Sequence, residues 1–220
     1  MQKSHKPIPI VTIPAGVLSK RAVDIHAARI REPEIQHLIA AMKTTLAGTP
    51  DGVGLAAPQV GKALAIFIVS EEAMEVDRST AVSRSRYCPP PSGTACLEQC
   101  SKWGHAVEPQ ATSATEHGSG TREWKYYTFI NPLVKNTSRK KLGGPEGCLS
   151  VPGKFGTVAR HEKITVEAYD ENGKKFTRGA SRFFARVIQH ELDHLKGILF
   201  IDKTKDLMAT PQKVKIEKQI

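Results

Sequence analysis

A chain of 220 residues, 40% hydrophobic and 25% charged, has the composition of one well-cored globular domain and is short for two. No apolar run nears the ~20 residues that cross a bilayer, the opening MQKSHKPIPI lacks the apolar stretch of a secretory signal, and four irregularly spaced cysteines make no disulfide framework. A cytoplasmic setting is therefore expected, with organelle targeting left open, and the net charge of +10 suits either plain solubility or an acidic neighbour such as RNA, with no sign of a membrane or DNA partner.

The first strong element is a helix over EPEIQHLIAAMKTTLAG. Ile35, Leu38, Ile39, Met42 and Leu46 recur at helical spacing, Pro33 suits the first turn and Gly48 the end. DGVGLAAPQVG follows, Asp51 to Gly61. Its glycines at 52 and 54 let the backbone approach a ligand closely, and Gln59 carries a neutral hydrogen-bonding amide. Ala63 to Ser70, ALAIFIVS, reads as a buried strand. Between about residues 71 and 123 the chain turns to Ser, Thr, Pro and Gly without a sustained period, the signature of a long irregular insertion. Cys88, Cys96, Cys100 and His105 inside it offer zinc ligands, but their spacing matches no compact knuckle, and unpaired thiols are the plainer reading.

YYTFINP reads as a strand stopped at Asn131-Pro132. KITVEAYDENGKKFTR alternates Ile164, Val166 and Ala168 on one face, turns at Asn172-Gly173 and resumes with Phe176, which is a hairpin signal. Strands fill the middle and one helix comes late, so the expected class is α+β, with small antiparallel or mixed sheets packed around that helix. Residues 1–208 read as a single domain carrying the insertion. Residues 209–220 read as a basic tail; Lys203, Lys205, Lys213, Lys215 and Lys218 make the end of the chain either a solvated terminus or an arm facing RNA.

The late helix carries VIQHELDHLKG. Wound at about 100° per residue, Arg182, Arg186, Gln189, Asp193 and Lys196 gather in a polar stripe, and Phe184, Ile188, Leu192 and Leu195 form an apolar sector with Phe183 and Val187 at its far side. His190, Glu191 and His194 lie beside Phe183 and Val187, pointing inward. Burying an unpaired carboxylate costs several kcal/mol or raises its pKa, and a metal, or water on a metal, is the natural partner. One inward histidine is usually a satisfied core residue; two of them one turn apart, flanking a glutamate, mark a metal site.

Two ligands need a third. A protease of one HExxH class would place a histidine three residues past Gly197, where this chain has Phe200; another class takes a downstream glutamate, and here only the short basic tail remains, with Asp202, Asp206 and Glu217 as weak candidates. The missing ligand is therefore upstream. GGPEGCLSVPG offers Cys148, set apart from the other cysteines in a glycine- and proline-framed turn. Cys148, His190 and His194 leave a fourth tetrahedral position open for water.

GVGLAAPQ, EGCLS and QHELDH, in this order, resemble the three signature motifs of the peptide deformylase family, and the resemblance runs from the Glu34 helix to about Asp206. The departures are the insertion and, on the helix, Phe183, Phe184 and Arg186. The resemblance implies a metal-dependent hydrolase that removes the formyl group from the N-terminal formyl-methionine of new polypeptides and releases formate. It implies Glu191 as general base and the Leu149 N–H and Gln59 amide as donors to the oxyanion. It also implies that Gly54 hydrogen-bonds a substrate laid down as an added strand. Val53, Phe183 and Val187 are candidates for the methionine pocket. One ion per chain is expected: ferrous iron by resemblance, with nickel or cobalt active and zinc poorer, although the ligand set itself would take zinc. A surface of ribosomal RNA is the expected acidic neighbour of the basic tail.

The sequence admits two other readings. A metallopeptidase cleaving internal amides would not demand a formyl group. A basic RNA-binding protein with a structural metal site would favour a closed fourth ligand and would have no use for Glu191.

Overall fold

The apolar run at Ala63–Ser70 becomes a strand at Ile66–Ser70 in the computed structural model, which describes residues 6–50, 52–75 and 125–209. All five of its residues are buried, because it lies inside a sheet with cores on both faces. That sheet joins β1 (Gly54–Ala56), β2 (Ile66–Ser70), β3 (Tyr126–Thr137), β8 (Lys163–Tyr169) and β9 (Lys175–Ser181) in the order β1-β2-β3-β8-β9. A second sheet, in the order β10-β6-β5, joins β5 (Pro145–Cys148), β6 (Val151–Thr157) and β10 (Met208–Ala209), and β4 (Lys141–Leu142) pairs with β7 (Arg160–His161). Every ladder among the described residues is antiparallel; the parallel contact is an isolated bridge, Val23 to Leu64. The helices are α1 (Pro33–Ala47), the single turn α2 (Glu72–Glu75) and α3 (Arg182–Leu195), with a few 3-10 turns. The coarse α+β expectation of small sheets with few helices is met.

Alternation along β2 divides the core. Phe67 and Val69 face one cluster, with Phe129, Val166, Ala168 and the α3 residues Phe184, Ile188, Leu192 and Leu195. Phe67 stacks on Phe129 with centroids 4.6 Å apart. Ile66 and Ile68 face the other cluster, with Ile130 and the five α1 residues picked out by their spacing: Ile35, Leu38, Ile39, Met42 and Leu46. Full burial of each such side chain contributes about 1.5–3 kcal/mol, so α1 and α3 are held by their apolar stripes on opposite faces of one sheet. A third cluster, Leu18, Val151, Val158, Leu199 and Phe200, lies under the β5–β6 layer, and Cys148 packs against it.

The hairpin falls as expected, with Tyr169 opposite Lys175 and Gly173 at φ 74° in the connection. The strand at YYTFINP does not stop at Asn131-Pro132; it continues to Thr137. Asn131 takes a left-handed φ of 50°, and the register with β8 shifts between Ile130 and Leu133. A bulge is where a strand tolerates proline, and the Asn131 amide is fixed by Ile25, whose N–H it accepts at 2.8 Å and whose carbonyl it donates to at 2.6 Å. Turn-forming residues here bend a strand without ending it.

The stretch read as an insertion opens with α2. Its remainder, with Cys88, Cys96, Cys100 and His105, lies outside the described residues, as do Lys213, Lys215 and Lys218 of the tail.

Candidate active site

Three segments meet at one point. Cys148 ends β5 and is followed by the Leu149–Ser150 turn into β6, so its position is set by a tight antiparallel connection, Cys148 facing Val151. His190 and His194 stand one turn apart on α3, their rings 4.9 Å between centroids. The sulfur of Cys148 and one ring nitrogen of each histidine all lie within 4.8 Å of one another, and Cys148 Sγ is 3.2 Å from His194 Nε2. Metal bonds of roughly 2.0–2.3 Å in a tetrahedron require ligand separations of roughly 3.3–3.8 Å, so the spacing and the chemistry of these donors fit a thiophilic divalent ion. The cluster stands alone among the described residues.

Glu191 points to the same need. It is 3% exposed, its Oε2 has no hydrogen-bond partner, and burial raises its carboxyl to about 7. A buried carboxylate without a partner is costly; beside a cation and its water that cost disappears. Burial, with His190 adding to it, likewise keeps His194 well below the ordinary histidine range, which leaves a neutral ligand nitrogen.

GVGLAAPQ supplies the opposite wall. β1 is an edge strand of the five-stranded sheet, and Gly54 lies so close to α3 that a Cβ there would sit 2.4 Å from Glu191 Oε1 and 3.0 Å from Val187 Cγ1. Gln59, 2% exposed, sits in the 3-10 turn Ala57–Val60. Its Oε1 accepts the Ala56 N–H at 2.8 Å, which turns its Nε2 toward Cys148 Sγ at 3.5 Å. The amide orientation is thus fixed by the backbone, and its donors face the cluster.

Of the residues read as a methionine pocket, Val187 is buried in the apolar cluster of Phe67 and Phe129, and Val53 and Phe183 are partly buried against that apolar cluster. An open cleft of about 180 Å³ reaches Phe183 and is otherwise walled by Leu142, Gly143, Gly144, Arg182 and Arg186 at the foot of β4 and the start of α3, among others; Val53 and Val187 do not line it.

Sequence reasoning missed the supports. Glu146 is 6% exposed. It accepts Arg160 Nε and Nη2, both at 2.8 Å, and Arg186 Nη1 at 2.8 Å, and lies 3.0 Å from His190 Nδ1. Burial opposes its charge, but Arg160 and His190 hold its carboxyl down at about 2. With Nδ1 engaged by Glu146, the other nitrogen of His190 is the one presented to the cluster. Burial opposes a charged His190 also, yet Cys148 and Glu146 hold it up to about 10, so ion binding there would displace a proton. Arg160 pairs with Asp193 as well, and Lys203 reaches Asp193 at 2.6 Å. The amino-terminal segment is a further support. It donates backbone hydrogen bonds to each motif or its neighbour: Val11 to the Gln59 carbonyl at 2.8 Å, Ile13 to Ser150 at 3.0 Å and Ala22 to Leu195 at 2.8 Å. EGCLS carried a signal for Glu146, its only acid; nothing in the first 31 residues announced a strap.

Comparison with known proteins bears on what this site does. The polypeptide deformylase family profile matches residues 7–210. A peptide deformylase of Borreliella burgdorferi is 35% identical over 164 residues, 73% of this chain and 70% of the relative. Peptide deformylase 2 of a Nostoc species is 32% identical over 203 residues, 92% of this chain and 89% of the relative. Among solved structures, a class I type b peptide deformylase from Acinetobacter baumannii, bound to Met-Ala-Ser, superposes with a TM-score of 0.63 at 26% identity, covering 90% of this chain and 99% of that one.

Proposed function

The chain belongs to the polypeptide deformylase family, and from that premise we propose the part each residue plays in its reaction. It is a peptide deformylase, an enzyme of protein biosynthesis that removes the N-formyl group of nascent peptides. Cys148 at the end of β5 and His190 and His194 on α3, the helix we place at the centre of the sheets, would hold the family's metal. An ion there supplies a Lewis acid and a water that ionises near neutral pH. The observation that carries this reading is the convergence of those three ligand atoms, together with a buried Glu191 between the two histidines on α3 whose Oε2 has no hydrogen-bond partner.

Glu191 takes the proton of the attacking water and returns one to the departing amine nitrogen, general acid–base work for which a raised pKa is suited. The Gln59 Nε2 and the Leu149 N–H donate to the developing oxyanion. Support for Gln59 is its backbone-fixed amide, and removal of one such donor costs about 10²–10³ in rate. The formylated chain end adds as a strand to the free edge of β1, hydrogen-bonded at Gly54, and its methionine side chain lies against Val53, Phe183 and Val187. Ferrous iron is the ion we assign, on the resemblance to the family; the thiolate–imidazole set itself would also take zinc, nickel or cobalt. The enzyme works in the cytoplasm as one catalytic domain over residues 1–208 with an insertion near 71–123. Its partners are formyl-methionyl peptides and, through the basic end of the chain, the ribosome surface.

The test is formate release from formyl-Met-Ala by anaerobically purified, metal-analysed protein, with acetyl-Met-Ala and an internal peptide as controls. Glu191→Ala should keep the ion and lose about 10²–10⁴ in kcat. Equal cleavage of the controls, or a Glu191→Ala enzyme retaining a tenth of wild-type kcat, would overturn the assignment.

A further inference from the structure

Arg186 lies on the polar stripe of α3, one turn before His190, yet its side chain is only 11% exposed. Its guanidinium reaches four acceptors. Nη2 donates to the Leu142 carbonyl at 2.7 Å, and Nη1 spreads its protons over the carbonyls of Val158 at 2.8 Å and Gly144 at 3.2 Å and over Glu146 Oε1 at 2.8 Å. These acceptors belong to β4, to the connection before β5, to β5 itself and to the residue that follows β6. They are therefore the layer that carries Cys148, whereas Arg186 shares its helix with His190 and His194.

Charge does not explain the residue. The buried acids Glu146 and Asp193 already face Arg160 and Lys203, so Arg186 brings one more cation to anions that already have partners. Burying a surplus charge is unfavourable, and burial indeed lowers the Arg186 pKa. What the guanidinium adds is a planar, multidentate brace between two elements. Glu146 is the pivot: its Oε1 is held by Arg186 and Arg160, its Oε2 faces His190 Nδ1, and Cys148 is two residues further along the same strand. Gly144 is shaped to this contact, since a Cβ there would lie 2.8 Å from Arg186 Nη2.

We propose that Arg186 is a positioning residue for the metal centre, which sets the separation of Cys148 from the two histidines by clamping the β4–β6 layer to α3 and by sharing Glu146 with His190. It touches neither the ion nor the substrate. The inference rests on Cys148, His190 and His194 being the ligands.

The full-length protein is loaded with Co²⁺, and two quantities are read: affinity by competition with a chelator, and the visible spectrum, which reports the thiolate–imidazole ligand field. Arg186→Met should weaken Co²⁺ about 10- to 100-fold, the usual loss when an outer support of a metal ligand is removed, with a shifted spectrum. Arg186→Lys should restore part of the affinity, because an ammonium can recover some of the hydrogen bonds to these acceptors but not the planar fork. Gly144→Ala, which crowds the guanidinium while leaving its charge in place, should shift the spectrum in the same direction and serves as the test if Arg186→Met does not fold. Wild-type affinity and spectrum in either folded variant, with only the melting temperature lowered, would reduce Arg186 to a structural brace and overturn the proposal. A wild-type protein with no cobalt–thiolate absorption would instead overturn the ligand assignment beneath it.

Discussion

Gly54→Ala adds one methyl group at the closest approach between β1 and α3. The new Cβ would lie 2.4 Å from Glu191 Oε1, 3.0 Å from its Cδ and 3.0 Å from Val187 Cγ1, where ordinary contact begins at 3.4 Å. Relief therefore needs a movement of about 1 Å, and the neighbours cannot give cheaply: Glu191 and Val187 are both buried on a helix packed along its length. The group that must move is the proposed base; none of the three atoms met first belongs to Cys148, His190 or His194. A misplacement of about 1 Å can cost on the order of 10²-fold in rate, or about 2.7 kcal/mol in barrier. The assay is formate release from formyl-Met-Ala with metal content measured on the same sample. The expected result is full metal occupancy with kcat down about 100-fold. Gly16→Ala is the control, because a Cβ there would meet nothing within 4 Å. A fully loaded Gly54→Ala enzyme within threefold of wild type would refute the reasoning, since it would mean that Glu191 has room to spare.

Cys148→Ser replaces a thiolate with a harder, poorer ligand; elemental analysis should find less iron after identical loading, and unchanged iron and activity would place the third ligand elsewhere. Glu146→Gln should cost about 3–5 kcal/mol at pH 7, because it strips Arg160 and Arg186 of their shared anion. The folded Glu146 carboxyl ionises at about 2 against 4.5 unfolded, so its contribution is complete above pH 4.5 and fades as pH falls toward 2; in urea unfolding the gap between the two proteins should narrow over that window, and a constant gap would contradict it. Truncation after Ala209 keeps β10 and should leave turnover of formyl-Met-Ala unchanged while weakening co-sedimentation with ribosomes. That interaction should fall steeply with salt, and equal binding by both forms at low salt would leave the tail a solvated terminus.

The parts of the fold legible in the sequence are those where one periodicity acts without competition. The α1 stripe at 35, 38, 39, 42 and 46 is buried as its spacing predicts, and the hairpin over β8 and β9 follows its alternation and its Asn172-Gly173 turn. Asn131-Pro132 was misleading because two good turn residues can also make a bulge, and the choice depended on Ile25, more than a hundred residues away, offering both a donor and an acceptor. The amino-terminal strap was invisible for a related reason. Its hydrogen bonds to Gln59, Ser150 and Leu195 come from backbone atoms, which every residue possesses and no pattern of side chains advertises.

The site shows the same division from the side of chemistry. Cys148, His190 and His194 could be picked out because few residue types bind a thiophilic ion, and a missing third ligand narrows the search. Their supports are arginine, glutamate, glutamine and aspartate, residues that ordinarily face water, and a helical projection cannot tell a solvated polar stripe from a buried one. Here the stripe is buried through its middle, between exposed Arg182 and Lys196. Gln189 and Asp193 are 8% and 5% exposed; Gln189 pairs with the backbone of His161 through both its oxygen and its nitrogen, and Asp193 lies between Arg160 and Lys203. A polar side of α3 turned to solvent would leave the helix anchored by its apolar sector alone, free to slide and rotate by fractions of an ångström on a greasy surface. Directional hydrogen bonds that join Arg186, Gln189 and Asp193 to Leu142, His161 and Arg160 of β4 and β7 remove that freedom, and the ligand spacing of the proposed metal site requires its removal.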